Sequence, residues 1–102
     1  MNPTNKMRPV HPGEILREEF LVPLKMSAHK LALELRVPAP RVNEIVRQRR
    51  AVSPDTALRL ARFFGTDAQS WMNLQAAYDL TCAEIALAEK IAREVKPMKD
   101  AA

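Results

Sequence analysis

The sequence of 102 residues contains a single cysteine, Cys82. One cysteine excludes an internal disulfide and a cysteine-rich zinc site, and it agrees with a reducing, cytoplasmic compartment. No run of about 18 apolar residues is present, so we expect no membrane span. The N-terminal residues also lack the apolar segment of a secretory signal. Glycine occurs only twice and aromatic residues account for 5% of the chain, which disfavours a strand-rich fold.

What the chain does contain favours one helical domain. Hydrophobic residues make up 47% of the sequence and charged residues 27%, which is enough apolar material for a packed core. A chain of about 100 residues accommodates one domain. Alanine, leucine, glutamate and arginine, all of them strong helix formers, are abundant. The composition therefore predicts an all-α fold.

The positive charge is concentrated in the middle of the chain. The formal net charge is +4, and residues 36–62 alone contribute +5 from seven arginines and two acids. Residues 1–35 contribute +1 and residues 63–102 contribute −2. Arginine suits bidentate contacts to phosphate and to the edge of guanine. The middle segment is therefore either a solvated basic face or a surface that binds nucleic acid or another polyanion.

Helix-start signals divide the first third of the chain. Proline at position 12, with an acid two residues later, predicts a helix that begins at Pro12. Pro23 is expected to end this helix near Leu21, because proline cannot continue the backbone hydrogen bonding. Ser27 is a good N-cap for a second helix over residues 28–35.

A short turn separates this second helix from a third. The residue before a proline avoids the helical region, so the pattern is interrupted and resumes at Ala39 or Pro40, continuing to about Gln48. Val37 is expected to fill the gap between the two helices, and Ala32 allows them to approach closely. The third helix carries a polar face that is rich in arginine and asparagine. This arrangement indicates a helix-turn-helix, whose second helix enters the major groove of DNA.

Two further helical segments follow. Ser53, followed by proline and an acid, is the strongest helix-start signal in the chain, and Gly65 is a natural end for the helix that it begins. A fifth helix contains Trp71 and Tyr78, which we expect in the core. Apolar positions continue at helical spacing beyond them, so the segment 68–96 is either one helix or two.

Four segments of the chain carry a family resemblance. They are HPGEILREEFL at 11–21, RVNEIV at 41–46, DTALRLARFFGT at 55–66 and WMNLQAAYDL at 71–80. In order and spacing they resemble the HigA-type antitoxins, which belong to the phage-repressor-like (XRE) helix-turn-helix class. The resemblance covers about residues 8–80. Two turns depart from the pattern, since Arg36 and Gln48 stand where such proteins usually carry glycine. A left-handed backbone there would cost a non-glycine residue about 1 kcal/mol.

The resemblance implies a five-helix DNA-binding core with a C-terminal helical extension. The chain then divides into a flexible N-terminal arm at 1–10, an XRE-type helix-turn-helix domain at 11–80, and a C-terminal helix and tail at 81–102 for dimer or partner contacts. It also implies a homodimer that binds double-stranded operator DNA, represses its own operon and neutralises a RelE-like (HigB-like) toxin, a ribosome-dependent nuclease of mRNA. A stand-alone XRE-type repressor without a toxin partner is the alternative.

The same resemblance assigns DNA contacts to the second and third helices. Arg41 is expected to bind guanine O6 and N7, Asn43 to bind adenine, and Glu44 to bind cytosine N4 or to orient a neighbouring arginine. Glu44 could equally pair with a helix neighbour, and Asn43 could face the fourth helix. Arg59 and Arg62 on that helix are expected to be surface charges. The start of the second helix is expected to approach the phosphate backbone. The predicted set is Ser27, Ala28, His29, Ala39, Pro40, Arg41, Asn43, Glu44, Arg47 and Arg49.

Catalytic and metal-binding patterns are missing from the sequence. The only histidine and acid at helical spacing are His11 and Glu14, and the Pro-Gly pair between them makes a poor metal site. No nucleophile–base pair, carboxylate dyad or glycine-rich phosphate loop is present, so we expect no enzyme, no metal and no cofactor. Cys82 is expected to act as a small core side chain. A helical module whose basic face binds an acidic protein is a further alternative to DNA binding.

Two groups of acidic residues lie outside the arginine-rich segment, one on the first helix and one in the C-terminal part. A nuclease toxin that binds RNA is expected to be basic, so exposed acids are either candidate toxin contacts or solubilising charges. The acids concerned are Glu14, Glu18, Glu19, Asp79, Glu84, Glu89 and Glu94.

Overall fold

The structure, a computed structural model, describes residues 8–101 and, of these, the side chains of residues 8–99. Helix α1 has three consecutive parts, Pro12–Ile15, Leu16–Leu21 and Val22–Leu24. It is followed by α2 (Ala28–Leu35), α3 (Ala39–Val46), α4 (Pro54–Phe64), α5 (Ala68–Glu94) and the short α6 (Met98–Ala101). No strand occurs in this part of the chain, and the predicted all-α fold is confirmed. Residues 1–7 of the expected N-terminal arm and residue 102 lie outside the described residues.

The helix boundaries follow the capping residues. The Ser27 hydroxyl, at the start of α2, accepts a hydrogen bond from the Lys30 N–H at 3.0 Å. The Ser53 hydroxyl caps α4 in the same way, accepting from the Thr56 N–H at 3.3 Å. The Asp67 carboxylate caps α5 in the same way. Each cap supplies an acceptor to an N–H that has no partner within its helix. The segment from residue 68 forms one helix, which resolves the alternative that the sequence left open.

The expectation that Pro23 ends α1 near Leu21 is wrong. The helix continues to Leu24 and ends where Lys25 adopts a left-handed backbone with φ of 53°. A wider π-helical stretch, Leu16–Leu21, lies directly before the proline, and the Val22 N–H bonds back five residues to the Arg17 carbonyl. A proline ring clashes with the carbonyl four residues earlier in a regular α-helix, and the change of hydrogen-bond register accommodates it here.

The core forms where the five helices meet. Leu31 of α2, Ile45 of α3 and Leu60 of α4 are almost completely buried. Trp71 of α5 is buried as expected, with its ring centroid 5.4 Å from that of Phe20 and its indole N–H donating to the Thr66 hydroxyl at 3.0 Å. The aromatic contact and this hydrogen bond fix the start of α5 against α1 and α4.

Both helices of the helix-turn-helix end in strained residues. Arg36 follows α2 with φ of 61°, and Gln48 follows α3 with φ of 63°. These are the two positions where the sequence lacks the expected glycine, so the left-handed turns are formed in spite of the side chains. Ala32 is buried and Val37 packs against the core between the helices, as expected.

Helix α5 extends well beyond the core. Its 27 residues span about 40 Å at 1.5 Å per residue, and the molecule measures 56 × 24 × 22 Å. From residue 83 onward every side chain described is exposed. The prediction that Cys82 is a core side chain is wrong, because it lies where α5 leaves the core and is partly exposed. Its thiol contacts the Tyr78 hydroxyl and raises the pKa of that phenol.

His11 connects the start of α1 to α5. Its imidazole is buried, and Nδ1 accepts a hydrogen bond from the Gly13 N–H at 2.8 Å, so His11 is the N-cap of α1. The ring meets that of Tyr78 edge-on, with centroids 4.8 Å apart. Burial lowers the pKa of His11, although Asp79 and the backbone of Arg50 act in the opposite direction.

Gly13 touches the backbone of α3, and replacing it with alanine is expected to lower the free energy of unfolding by about 2–3 kcal/mol. A Cβ at this position would overlap the Ile45 carbonyl, which cannot move without displacing α3. Gly65→Ala is the control, because its Cβ meets no atom within 4 Å and only the left-handed backbone costs about 1 kcal/mol. Urea denaturation followed by circular dichroism measures both. An equal loss of unfolding free energy in the Gly13 and Gly65 variants would show that the contact between α1 and α3 is not tight.

We expect stability to fall when the pH drops below about 6.5, the ordinary pKa of histidine. Because the pKa of His11 is lowered, the folded chain binds this proton less readily than the unfolded chain, so the stabilisation is complete above that pH and is lost below it. His11→Asn retains an N-cap acceptor that does not titrate. Denaturation midpoints between pH 5 and 8 should therefore depend less on pH in this variant than in the parent chain. His29→Gln, which removes a histidine at an exposed position, is the control.

Candidate nucleic-acid interface

Helices α2 and α3 form a compact pair whose inner surfaces are apolar. Leu31 and Leu35 of α2 are buried together with Val42 and Ile45 of α3. The turn is closed by the Val37 N–H, which donates to the Ala32 carbonyl at 3.1 Å. Positions 42 and 45 lie on one side of α3, so the intervening positions face away from the core. The pair therefore presents a polar side of α3 to the surroundings, as a helix-turn-helix requires.

All ten predicted contact residues remain accessible. Five are exposed, namely Ser27, His29, Pro40, Arg47 and Arg49. The others are partly exposed, namely Ala28, Ala39, Arg41, Asn43 and Glu44. The two groups lie on α2, on α3 and in the turn after α3. No residue of the set belongs to the core.

Two of the three side chains expected to contact bases, Arg41 and Asn43, already have partners near the start of α3. The Arg41 guanidinium donates from Nη1 to the Asp55 carboxylate at the start of α4, at 2.5 Å. The Asn43 amide donates to the Ala39 carbonyl, one turn back in the same helix, at 3.2 Å. Asn43 therefore does not bond to the fourth helix, and its side-chain oxygen has no protein donor among the described residues. Both contacts limit the orientation in which the side chain could meet DNA.

The remaining charges of α3 and its following turn divide into paired and unpaired ones. Glu44 accepts from the Nε of Arg50 at 2.7 Å, so it pairs with an arginine after the helix and not with a helix neighbour. Arg47 and Arg49 form no ion pair with any side chain that the structure describes. Two unpaired arginines at the end of α3 are suited to phosphate contacts, since arginine remains charged and offers several donors.

Two residues that support this surface were not predicted from the sequence. Arg59 of α4 donates to the Leu35 carbonyl at the end of α2, at 2.8 Å, so it is more than a surface charge. Gln75 of α5 is buried, and its side-chain oxygen accepts from the Val52 N–H at 2.8 Å. The spacing of Asp55 and Arg59 as an i, i+4 pair was the available signal for Arg59. No sequence signal distinguishes Gln75.

Two other kinds of feature, a metal site and a membrane span, are absent from the described residues. Within residues 8–99, no group of three histidine, cysteine, aspartate or glutamate side chains is placed to hold a metal ion. In the same part of the chain, no helix combines the length and apolar character needed to cross a bilayer.

Comparison with known proteins agrees with this geometry. Residues 16–71 match the family described as Helix-turn-helix. The chain is 61% identical over 80 residues, 78% of its length, to virulence-associated protein I of Dichelobacter nodosus, of which the match covers 74%. It is 33% identical over 93 residues to antitoxin HigA-1 of Vibrio cholerae, covering 91% of this chain and 87% of that one.

A solved structure extends the similarity to three dimensions. The antitoxin HigA of Pseudomonas aeruginosa, determined with the higBA promoter, superposes with a TM-score of 0.87 at 52% identity. The superposition covers 88% of this chain and 98% of the other. Both proteins therefore have the same five-helix core, and the family is one of DNA-binding regulators and not of enzymes. The chain belongs to the helix-turn-helix family and, within it, to the HigA-type antitoxins.

Proposed function

We propose that this protein binds operator DNA as a homodimer, represses its own operon and neutralises a HigB-like toxin that cleaves mRNA. The observation that carries the DNA-binding part is the accessible polar side of α3, together with the arginines of the turn that follows it, above an apolar α2–α3 contact. The relatives named HigA support the antitoxin part. The P. aeruginosa relative was determined with its promoter, and the proposal carries that mode of binding over to this chain.

The proposed DNA contacts divide between base reading and charge neutralisation. Arg41 lies in the first turn of α3, where residues of a recognition helix meet base edges. Arg47 and Arg49 lie at the other end, where their charges would neutralise phosphates. Ser27, Ala28 and His29, at the start of α2, would approach the backbone of the same duplex. In this arrangement, the preference for a base sequence comes from the few side chains that contact bases, and most of the affinity comes from the larger number that contact the phosphate backbone.

The proposed dimer interface is a largely apolar stripe that begins in the part of α5 that packs on the core and continues to Val95, the residue that follows its last turn. Its residues recur with alternating spacings of three and four, which places them on one side of a helix. Ile85 and Val95 within it are 64% and 62% exposed, and two alanines between them permit close approach of a second helix. Upstream, the same spacing includes Trp71 and Tyr78, which pack on the chain's own core. We define this stripe as Tyr78, Thr81, Ile85, Ala88, Ala92 and Val95.

The proposed toxin contacts are exposed acids outside the DNA-binding surface. Glu19 of α1 and Glu84 and Glu89 of α5 are exposed and form no ion pair with any described side chain. Glu14, expected in this group, is different: its side chain is only 21% exposed and binds the Arg8 guanidinium through both oxygens. We therefore omit Glu14 from the toxin surface. A basic nuclease would be attracted to the acids that remain.

Substituting Arg41 and Arg49 should affect DNA binding in different ways. Arg41→Ala is expected to cost roughly 1–3 kcal/mol and to relax the preference at one base pair. Arg49→Ala should weaken binding to all duplexes about equally and reduce the salt dependence by about one phosphate contact. Titrations against the chain's own promoter and a random duplex over a salt series measure both effects. Arg93→Ala, near the end of α5, is the control. A parent chain without promoter preference at physiological salt would contradict the proposal.

Introducing a charge into the apolar stripe should dissociate the dimer. Ile85→Glu is expected to weaken self-association and operator binding together by at least about tenfold, because a carboxylate would be buried between the helices. Ala86→Glu adds the same charge one position further along, about 100° around the helix, and should leave both unchanged. Sedimentation over a concentration series and operator titration are the measurements. An Ile85→Glu protein that remains dimeric at micromolar concentration would place the interface elsewhere.

The antitoxin role is tested with the small basic product of the neighbouring gene. Expressed alone, that product should inhibit growth, and co-expression with this chain should restore growth and yield a complex. The double variant Glu84→Lys/Glu89→Lys should weaken the complex if the α5 acids contact the toxin, whereas the same reversal at the exposed Glu34 of α2 should not. A neighbouring product that is harmless, or that does not co-purify, would leave the stand-alone repressor as the function.

A further inference from the structure

Four groups from three helices form a continuous chain of hydrogen bonds beside α3. The Leu35 carbonyl at the end of α2 accepts from Nη1 of Arg59 at 2.8 Å. Nε of Arg59 donates to one oxygen of Asp55 at 3.1 Å. The other oxygen of Asp55 accepts from Nη1 of Arg41 at 2.5 Å. Asp55 is thus shared between an arginine that is anchored to the backbone and an arginine on the recognition helix.

The contact with Asp55 uses only one nitrogen of Arg41. A guanidinium can bind guanine through its end, with both Nη groups, or through its side, with Nε and Nη2. Asp55 engages one N–H of Nη1, whereas no described side chain accepts from the edge formed by Nε and Nη2. Arg41 is also 30% exposed, which leaves that edge accessible. The ion pair therefore favours the side geometry, which uses no nitrogen that is already bonded to Asp55.

We propose that Asp55 is a positioning residue for DNA recognition, which holds the Arg41 guanidinium so that its Nε and Nη2 edge reads a single guanine. The inference rests on the proposed operator binding. Asp55 itself need not touch DNA. It acts by restricting Arg41 to the orientation that suits one base pair, which reduces the conformational entropy lost on binding.

Asp55 is well placed for this role because its own position is fixed. It lies in the first turn of α4, whose N-cap Ser53 bonds to the Thr56 N–H. The two arginines, Arg59 more than Arg41, lower the pKa of Asp55, so its carboxylate is charged at neutral pH. Favourable interaction with the positive end of α4 adds to this. A carboxylate held from both sides orients its partner better than an isolated surface pair would.

The test compares base preferences and not only affinities. Binding of the parent chain, Arg41→Ala, Asp55→Ala and the double variant is measured for the operator and for each single base-pair substitution of one half-site. Arg41→Ala should remove a discrimination of about 5- to 150-fold at one base pair. Asp55→Ala should lose most of the same discrimination at the same base pair, and the double variant should lose no more. Binding of Asp55→Ala to random duplex should not weaken, since a negative charge is removed.

Two further variants separate positioning from folding and from charge. Asp55→Asn keeps the size of the side chain while weakening both ion pairs, and should lose part of the discrimination with little change in thermal midpoint. Glu34→Gln removes another exposed carboxylate, which forms an ion pair with Lys30. This variant should retain the full base preference.

Several results would overturn the proposal. Asp55→Ala could keep the full discrimination, or it could bind the operator more tightly with unchanged preference, which would show that Asp55 only competes with DNA for Arg41. An Arg41→Ala protein with unaltered preference at every base pair would also overturn it, although operator binding itself would stand. A parent chain that fails to prefer its operator over random duplex would instead refute the proposed function.

Discussion

The placement of the recognition helix depends on the contact between Gly13 and the carbonyl of Ile45. Helix α3 has eight residues, which is too short to be stable as an isolated helix in water. Its position must therefore come from neighbours. At its C-terminal end, α1 approaches so closely that no side chain fits at Gly13. At its N-terminal end, Arg41 is bonded to α4, and between these ends the apolar side of α3 is buried.

The parts of the fold that the sequence could predict are those determined within a few residues. Ser27, Ser53 and Gly65 mark helix ends through interactions with backbone groups at most four positions away, so residue type and local order are sufficient. The prediction that Pro23 ends α1 was wrong because it applied a local rule for proline in a regular α-helix. The π-helical stretch before Pro23 changes the hydrogen-bond register, so the helix continues. The stretch lies in α1, whose side chains pack on the core, and such tertiary packing overrides local preference.

In the candidate site, too, the sequence predicts features set within one helix but not contacts between helices. The accessibility of the predicted residues on α3 follows from the helical period and from the apolar positions of that helix, whereas their contact with DNA stays a prediction. Their partners were not predictable, because Arg41 and Asp55 are 14 residues apart and Arg59 and Leu35 are 24 apart. Helix-neighbour rules reach four positions at most. Which carboxylate meets which arginine is decided by how the helices pack. Those pairings separate Arg41, which has a carboxylate partner, from Arg47 and Arg49, which have none among the described side chains.

The length of α5 has a consequence for how the protein behaves at low abundance. One half of this helix is stabilised by the chain's own core, while the exposed stripe on the other half gains apolar burial only from a second molecule. In a dimer joined along the stripe, the end of α5 is ordered by association, so its stability rises with concentration by mass action. If the proposed dimer forms, the end of α5 in a dilute, unpaired chain would open more readily and would be more accessible to proteolysis. The concentration of this protein in the cell would thus influence how long each molecule survives.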